Sequence, residues 1–307
     1  MATSERNEQV SQAQLLAEAA EAAPSRQASL WGDAWRRLIR NRLAVIGMVI
    51  VVMLVLLAVF APLLAPYGEG EVIHESLVLA KPSWYFPMGV DQNGRDVFSR
   101  MLYGARVSLL VGVVAQLIVL AIALPVGSVA GYFGGRVDNY LMRAVDVVYA
   151  IPQLLLVLLI VNLRGPGIAN IFLAIGLTGW VTMARLIRGQ MLMIREQEYV
   201  KASRVAGAGP LYIIVRHMLP NSMTPIIVAL TFGIPVAIFI EAALSFVGVG
   251  IRPPQASWGQ MVGIGQQYIR SVQHLMLFPS LAIALTMLAF TFLGDGLRDA
   301  LDVRLND

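Results

Sequence analysis

The sequence predicts an all-α polytopic membrane protein with about six transmembrane helices. Three observations carry that prediction. Of its 307 residues, 57% are hydrophobic and only 14% charged, a composition that ordinary soluble domains do not show. Six charge-poor runs each approach the roughly 20 apolar residues a helix needs to cross the hydrocarbon layer. The basic residues between those runs are shared unequally between the two sides.

The first run, Leu43 to Ala65, carries no charge. Its 23 residues exceed the apolar stretch of a cleaved signal peptide, so it reads as a retained signal-anchor helix. The second run, Val107 to Gly131, is interrupted only by Gln116 and Pro125, and the third, Ala144 to Asn162, carries Asp146 near its start. The fourth begins at Ile168 and meets its first charge at Arg185. The fifth, Ser222 to Val249, encloses a single acid, Glu241, and the last is Leu275 to Gly294. Backbone polar groups in lipid must be satisfied within the segment, so all six are expected as helices. With a cytoplasmic N-terminus, 16 of the 23 Lys and Arg residues fall inside and 7 outside. The positive-inside rule therefore selects an orientation with both termini cytoplasmic. That topology accounts for the pI near 9.6 and leaves a nucleic-acid partner without support. The organisation is a cytoplasmic segment 1–42, an anchor helix 43–65, an outer segment 66–103, a membrane core 104–297 and a cytoplasmic tail 298–307. Met1 to Ser29, rich in Ala, Gln and Glu, is expected to be disordered or loosely helical.

Several chemistries are excluded. The absence of cysteine removes disulfides, zinc–thiolate sites, iron–sulfur clusters and thiol nucleophiles. His74, His217 and His274 stand far apart, so neither a metal site nor a catalytic triad is expected. A phosphate-binding loop needs a lysine after its glycine-rich turn, and Lys81 and Lys201 lack that context. No cofactor is expected on this chain, and any ATP and Mg would be used by another polypeptide. An ion-coupled secondary transporter would call for further intramembrane acids or a broken-helix pair. An intramembrane enzyme would call for an H-E-x-x-H pair or a serine–histidine dyad, and the sequence offers neither.

The segment between the fourth and fifth runs is the most informative. Glu196 to Ala206, containing Glu198, reads as a helix of about three turns, stopped by Gly207, Gly209 and Pro210. A second short helix, Leu211 to Met218, is expected to end at Leu219, Pro220 and Asn221. Two short helices at a sharp bend make a protruding knob suited to a groove on a soluble partner. The competing reading is that its basic residues only satisfy the positive-inside rule.

Elsewhere, Pro82, Pro87, Gly89 and Gly94 set turns before a helix near Asp96. Asp91, Arg95, Asp96 and Arg100 either meet a partner or tie that loop to the helix start through caps and ion pairs. Asp146 and Asp295 are expected in caps or in ion pairs with Arg143 and Arg298. Glu241 has two readings. It lines a solute pathway, as Gln116 is also placed to do, or it is a hydrogen-bonded packing residue.

The knob resembles the signature of binding-protein-dependent ABC importer permeases: Glu-Ala-Ala, three residues, Gly, nine residues, then a branched residue before Leu-Pro. The matching positions are Lys201, Ala202, Ser203, Gly207, His217, Leu219 and Pro220. Lys201 and Ser203 depart from the pattern, so the docking role carries over while the glutamate's ionic contact does not. Met88 to Arg100 with Tyr103 to Arg106, and Leu293 to Asp302, are similar to segments of the C-type permease of the dipeptide and oligopeptide group, with Val303 where proline is usual. Gly131 to Gly135 and Pro253-Pro254 with Trp258-Gly259 extend the resemblance to about residues 30 to 305. It implies the fold of a type I ABC importer permease in a bacterial inner membrane, with the first knob helix as a coupling helix. The implied partners are a homologous B-type sister permease, two ATPases and a periplasmic solute-binding protein. Glu198, Lys201, Ala202, Ser203, Gly207, Leu219 and Pro220 would then contact the ATPase, and peptides, glutathione or metal chelates would be carried.

Overall fold

Each of the six runs is helical in the computed structural model, which describes residues 30–73, 77–165 and 167–302. The segment Met1 to Ser29 and His74 lie outside the described residues. Among the described residues the chain is all helix and loop, apart from an isolated antiparallel bridge between Val90 and Asp96. The helices are α1 (Leu30–Arg40), α2 (Arg42–Val59), α3 (Ala61–Leu64), α4 (Val97–Phe133), α5 (Gly135–Tyr149), α6 (Gln153–Arg164), α7 (Ile168–Arg195), α8 (Glu198–Val205), α9 (Pro210–Phe246), α10 (Trp258–Gln266) and α11 (His274–Leu301).

Local chemistry sets most boundaries. Asn41 caps α2, its Oδ1 accepting from the Leu43 and Ala44 amides at 3.1 and 3.3 Å. The anchor helix does not run unbroken to Ala65 as expected; it breaks at Phe60, because Pro62 has no N–H to continue the ladder. Asp96 caps α4, accepting from the Ser99 amide at 2.7 Å. The helix expected near Asp96 and the second span are one continuous helix of 37 residues.

The third span is not the straight helix Ala144 to Asn162. α5 and α6 meet at a 78° bend before Pro152. The bend lets the pair climb α7 from end to end. Asp138 makes a bidentate ion pair with Arg188, Asp146 pairs with Arg185 at 2.6 Å, and Gln153 donates to Thr178 Oγ1 at 3.4 Å. Val157 and Val161 then pack with Ile171 and Ala174. Asp146 therefore pairs across to Arg185 and not to its neighbour Arg143.

Glycines show that the pair counts as one crossing. A Cβ on Gly176 would strike Ile118, on Gly127 the backbone of Ala184, and on Gly131 Met191, so position numbers rise together along α4 and α7. Two consecutive helices packed parallel require the chain between them to return the full height of the bundle. α9 runs antiparallel to α4, with Gly112 against Ile238 and Gln116 against Gly233. α11 runs antiparallel to α2, with Gly47 against Ala289 and Gly296 against Ala44. Among the described residues the result is six passes, with α1, α8 and the end of α11 at one end and α10 at the other.

The outward faces are apolar. On α2, Val49, Val52, Met53, Val55 and Leu56 are each about half exposed. Leaving them in water would cost on the order of 5 kcal/mol, comparable to the stability margin of a domain. Lipid removes that cost, and small residues between helices supply the close packing that lipid cannot drive by itself.

Candidate functional site: a protruding knob and a groove beside it

α8 is held from beneath. Val200 is fully buried in one apolar cluster with Tyr132, Met191, Ile194, Ile213 and Met218, which fixes α8 to the ends of α4, α7 and α9. The helix ends at Gly207 (φ +84°), where the Gly207 amide donates to Arg204 O at 3.0 Å and the Ala208 amide to Ser203 O at 3.1 Å. This is the paired-bond C-terminal motif in which glycine supplies the left-handed residue. Gly207 therefore stops the helix as the sequence indicated.

The second short helix does not stop at Leu219. Pro220 has no amide proton to give, and the chain passes it through a widened turn at Ile214–Met218, with the Leu219 amide reaching back to Ile214 O. The knob is thus α8, the Gly207 turn and the protruding start of α9. Its surface carries exposed apolar side chains: Val205 is 90% exposed and Leu211 75%. Lys201, Ala202 and Glu198 are exposed beside them, and Ser203 is half-buried. Lys201 pairs with Glu196 at 3.2 Å, and Arg195 approaches the same carboxylate at 3.2 Å. Hydrogen bonds from Lys201 and then Arg195 hold the Glu196 carboxyl below the usual carboxylate range. Pro220 is exposed, Leu219 half-buried, and His217 lies between the rings of Tyr199 and Tyr212.

Two cavities occupy one side of the bundle. The first, of about 290 Å³, is lined by Gln116, Gln153, Thr182, Phe232 and Gly233 among others. The second, of about 640 Å³, reaches Gln190, Met193, Arg298 and Asp302 at the α8 end. Leu186, Ala229 and Phe232 line both, so together they form a groove from mid-bundle to that end. Gln116 Nε2 donates to Gly233 O at 3.0 Å, and the missing side chain at Gly233 makes room for that amide.

Glu241 is not on this groove. It is wholly buried, and its Oε1 accepts from Ser245 Oγ and Ser257 Oγ, each at 2.7 Å. Ser257 in turn caps α10, accepting from the Gln260 amide at 3.1 Å. Glu241 thus pins the start of α10 to α9. Replacing it by alanine strands two buried hydroxyls and should cost about 1–3 kcal/mol, whereas glutamine, which keeps an acceptor oxygen, should recover most of it. Thermal midpoints of the two variants in detergent check this. The α10 end is closed by a second polar knot, in which Arg100, 2% exposed, meets Asp91 at 3.5 Å and Gln260 at 3.0 Å. Asp91, Asp96 and Arg100 therefore cap and tie the loop that precedes α4.

Residues 123–307 match a family model described as the binding-protein-dependent transport system inner membrane component. The chain belongs to this permease family. Residues 29–80 of the permease also match the N-terminal transmembrane domain of oligopeptide transport permease C. The permease is 48% identical over 276 residues to the dipeptide transport system permease protein DppC of Bacillus subtilis, covering 89% of this chain and 85% of that one. It is 40% identical to the oligopeptide transport system permease protein OppC of the same organism, covering 93% of each. It is 39% identical to the glutathione transport system permease protein GsiD of Escherichia coli, covering 92% of this chain and 93% of that one. Inward-facing structures of the MetNI methionine ABC transporter contain a chain of the same fold, with a TM-score of 0.54 at 21% identity over 67% of the permease and 97% of that chain.

Sequence reasoning named Gln116 and Glu241 as candidates; of the two, Gln116 lines the groove, and Gln153, Thr182 and Phe232, which line it as well, were not named. Gln153 carried a signal, being a lone amide after Pro152 in an apolar run. Phe232 carried none, since an aromatic in a span is ordinary packing until its neighbours are known.

Proposed function

We propose that the permease forms half of the translocation pathway of an ATP-driven importer for dipeptides, oligopeptides or similar small solutes. The observation that carries this reading is the meeting, at one end of the bundle, of an apolar protruding tip and the wide end of an amide-lined groove. An apolar tip in water calls for a partner that covers it. In this reading that end is cytoplasmic together with both chain termini, and an ATPase subunit receives the tip while a second serves the homologous B-type sister permease. The sister closes the open side of the groove, and a periplasmic solute-binding protein delivers cargo at the α10 end of the inner-membrane complex. ATP and Mg act in the ATPases. Movement of α8 as a rigid body shifts the spans between inward-open and outward-open arrangements, each ligand acting through its differential affinity for the two.

The relatives that bear dipeptide and oligopeptide names support the solute class, and the carboxamides of Gln116 and Gln153 suit peptide-bond donors and acceptors. Glutathione, itself a peptide, is the second reading, favoured by the GsiD relatives. Sealed vesicles holding the permease, its sister, both ATPases and the binding protein should accumulate labelled dipeptide only when ATP is supplied to the ATPase side. Accumulation by the permease without ATPases would overturn the assignment. Competition by unlabelled dipeptides against glutathione separates the two cargo readings.

A further inference from the structure

α1 carries three parallel stripes, each built from residues one turn apart. Ala34 and Leu38 are buried against Ala44, Leu297, Ala300 and Leu301. Trp35 and Ile39 come next around the helix and are 54% and 46% exposed. Arg36 and Arg40 follow, both exposed. The order is therefore bundle contact, unpartnered apolar surface, then positive charge. A helix lying flat in the headgroup layer of a membrane beside its own bundle needs that sequence of faces.

The surroundings agree. α1 joins directly onto α2 through Asn41, and Leu43 and Ile46, in the first turns of α2, are 53% and 49% exposed. Tryptophan favours the boundary between headgroup and acyl chain, where its ring is in hydrocarbon and its N–H in water. Arg36 is occupied by Asp33 at 2.6 Å, whereas Arg40 and Arg42 form no ion pair among the described residues. Arg37 donates to Asp302 O at 3.2 Å, tying α1 to the end of α11, where Arg298 and Asp302 line the wide end of the groove.

We infer that α1 is an in-plane anchor for anionic phospholipids of the leaflet at the α8 end. Arg40 and Arg42 take the phosphate oxygens, and Trp35 and Ile39 sit at the headgroup boundary. Through its packing on α11, a seated α1 holds the mouth of the groove in place, so transport depends on the lipid.

The permease has no cysteine, so Ile39→Cys gives it a single attachment point for a nitroxide label, used with cysteine-free partner subunits in the assembled complex. In vesicles containing roughly a third phosphatidylglycerol, the label should collide freely with oxygen and be shielded from a water-soluble nickel complex. A label shielded from both would mean that protein covers the stripe, and exposure to nickel would mean that water does; either result overturns the anchor. Each arginine near an anionic surface is worth about fivefold in partitioning, so the Arg40→Gln/Arg42→Gln complex should retain roughly 25-fold less phosphatidylglycerol through native mass spectrometry. Unchanged retention overturns the assignment of these two arginines. Inorganic phosphate added to phosphatidylcholine vesicles should not restore the lipid-dependent transport rate; restoration would identify a free anion as the ligand and overturn the lipid reading. The labelling and retention readouts need no transport, so their outcome is independent of the proposed cargo and energy source.

Discussion

Gly207→Asp leaves the permease inserted, folded and paired with its sister, while ATP hydrolysis stimulated by loaded binding protein falls at least about tenfold. The fold survives because a Cβ at Gly207 meets nothing within 4 Å. Aspartate is also among the residues that visit the left-handed region, at a strain of about 1 kcal/mol. The cluster around Val200 and Ile213 beneath the turn is untouched. What changes is the surface, where a carboxylate now stands between Val205 and Leu211. If an ATPase groove covers those side chains, an unpaired charge enters an apolar interface and costs several kcal/mol. Gly207→Asn keeps the conformation and adds no charge, so it should retain most of the activity. Wild-type transport by the aspartate variant would refute docking at this turn.

Gly131→Leu acts on the scaffold and should abolish detergent-stable, monodisperse protein on size-exclusion chromatography. A Cβ at Gly131 lies 2.4 Å from Met191 Cβ and 2.9 Å from Arg188 O, so the obstruction includes backbone and cannot be relieved by a rotamer change alone. α4 and α7 must separate along their shared length, which costs upwards of about 3 kcal/mol and opens the cluster that holds α8. Gly189, also in α7, faces open space, and Gly189→Ala should stabilise by up to about 1 kcal/mol through helix propensity. A normally eluting Gly131→Leu protein would show that these helices tolerate separation.

Much of this architecture was legible because it follows from local rules. Charge-poor length marked the six crossings, and Gly207 marked the end of α8. The failures came from partners distant in sequence and from the way the backbone accommodates a proline. The third run was placed at Ala144 to Asn162, yet Asp138 and Asp146, paired with Arg188 and Arg185 on α7, belong to a helix that begins at Gly135. Pro220 is locally a terminator, but the widened turn before it carries the helix onward. Glu241 read as pathway or as packing, with packing favoured, and Ser257, 16 residues further on, folds back onto it. The groove is lined by five helices, α4, α6, α7, α9 and α11, which are scattered along the chain, so only its polar members could be suspected beforehand.

Val200 seats the tip on the adjoining ends of α7 and α9 at once, and both helices rise along the walls of the groove. At 1.5 Å per residue, the 28 residues of α7 form a rod of about 40 Å. Tipping such a rod by about five degrees at its foot swings its head sideways by about 4 Å, close to the breadth of a peptide backbone. A modest tug on one eight-residue stub is therefore geometrically sufficient to change what fits between the far ends of two long levers.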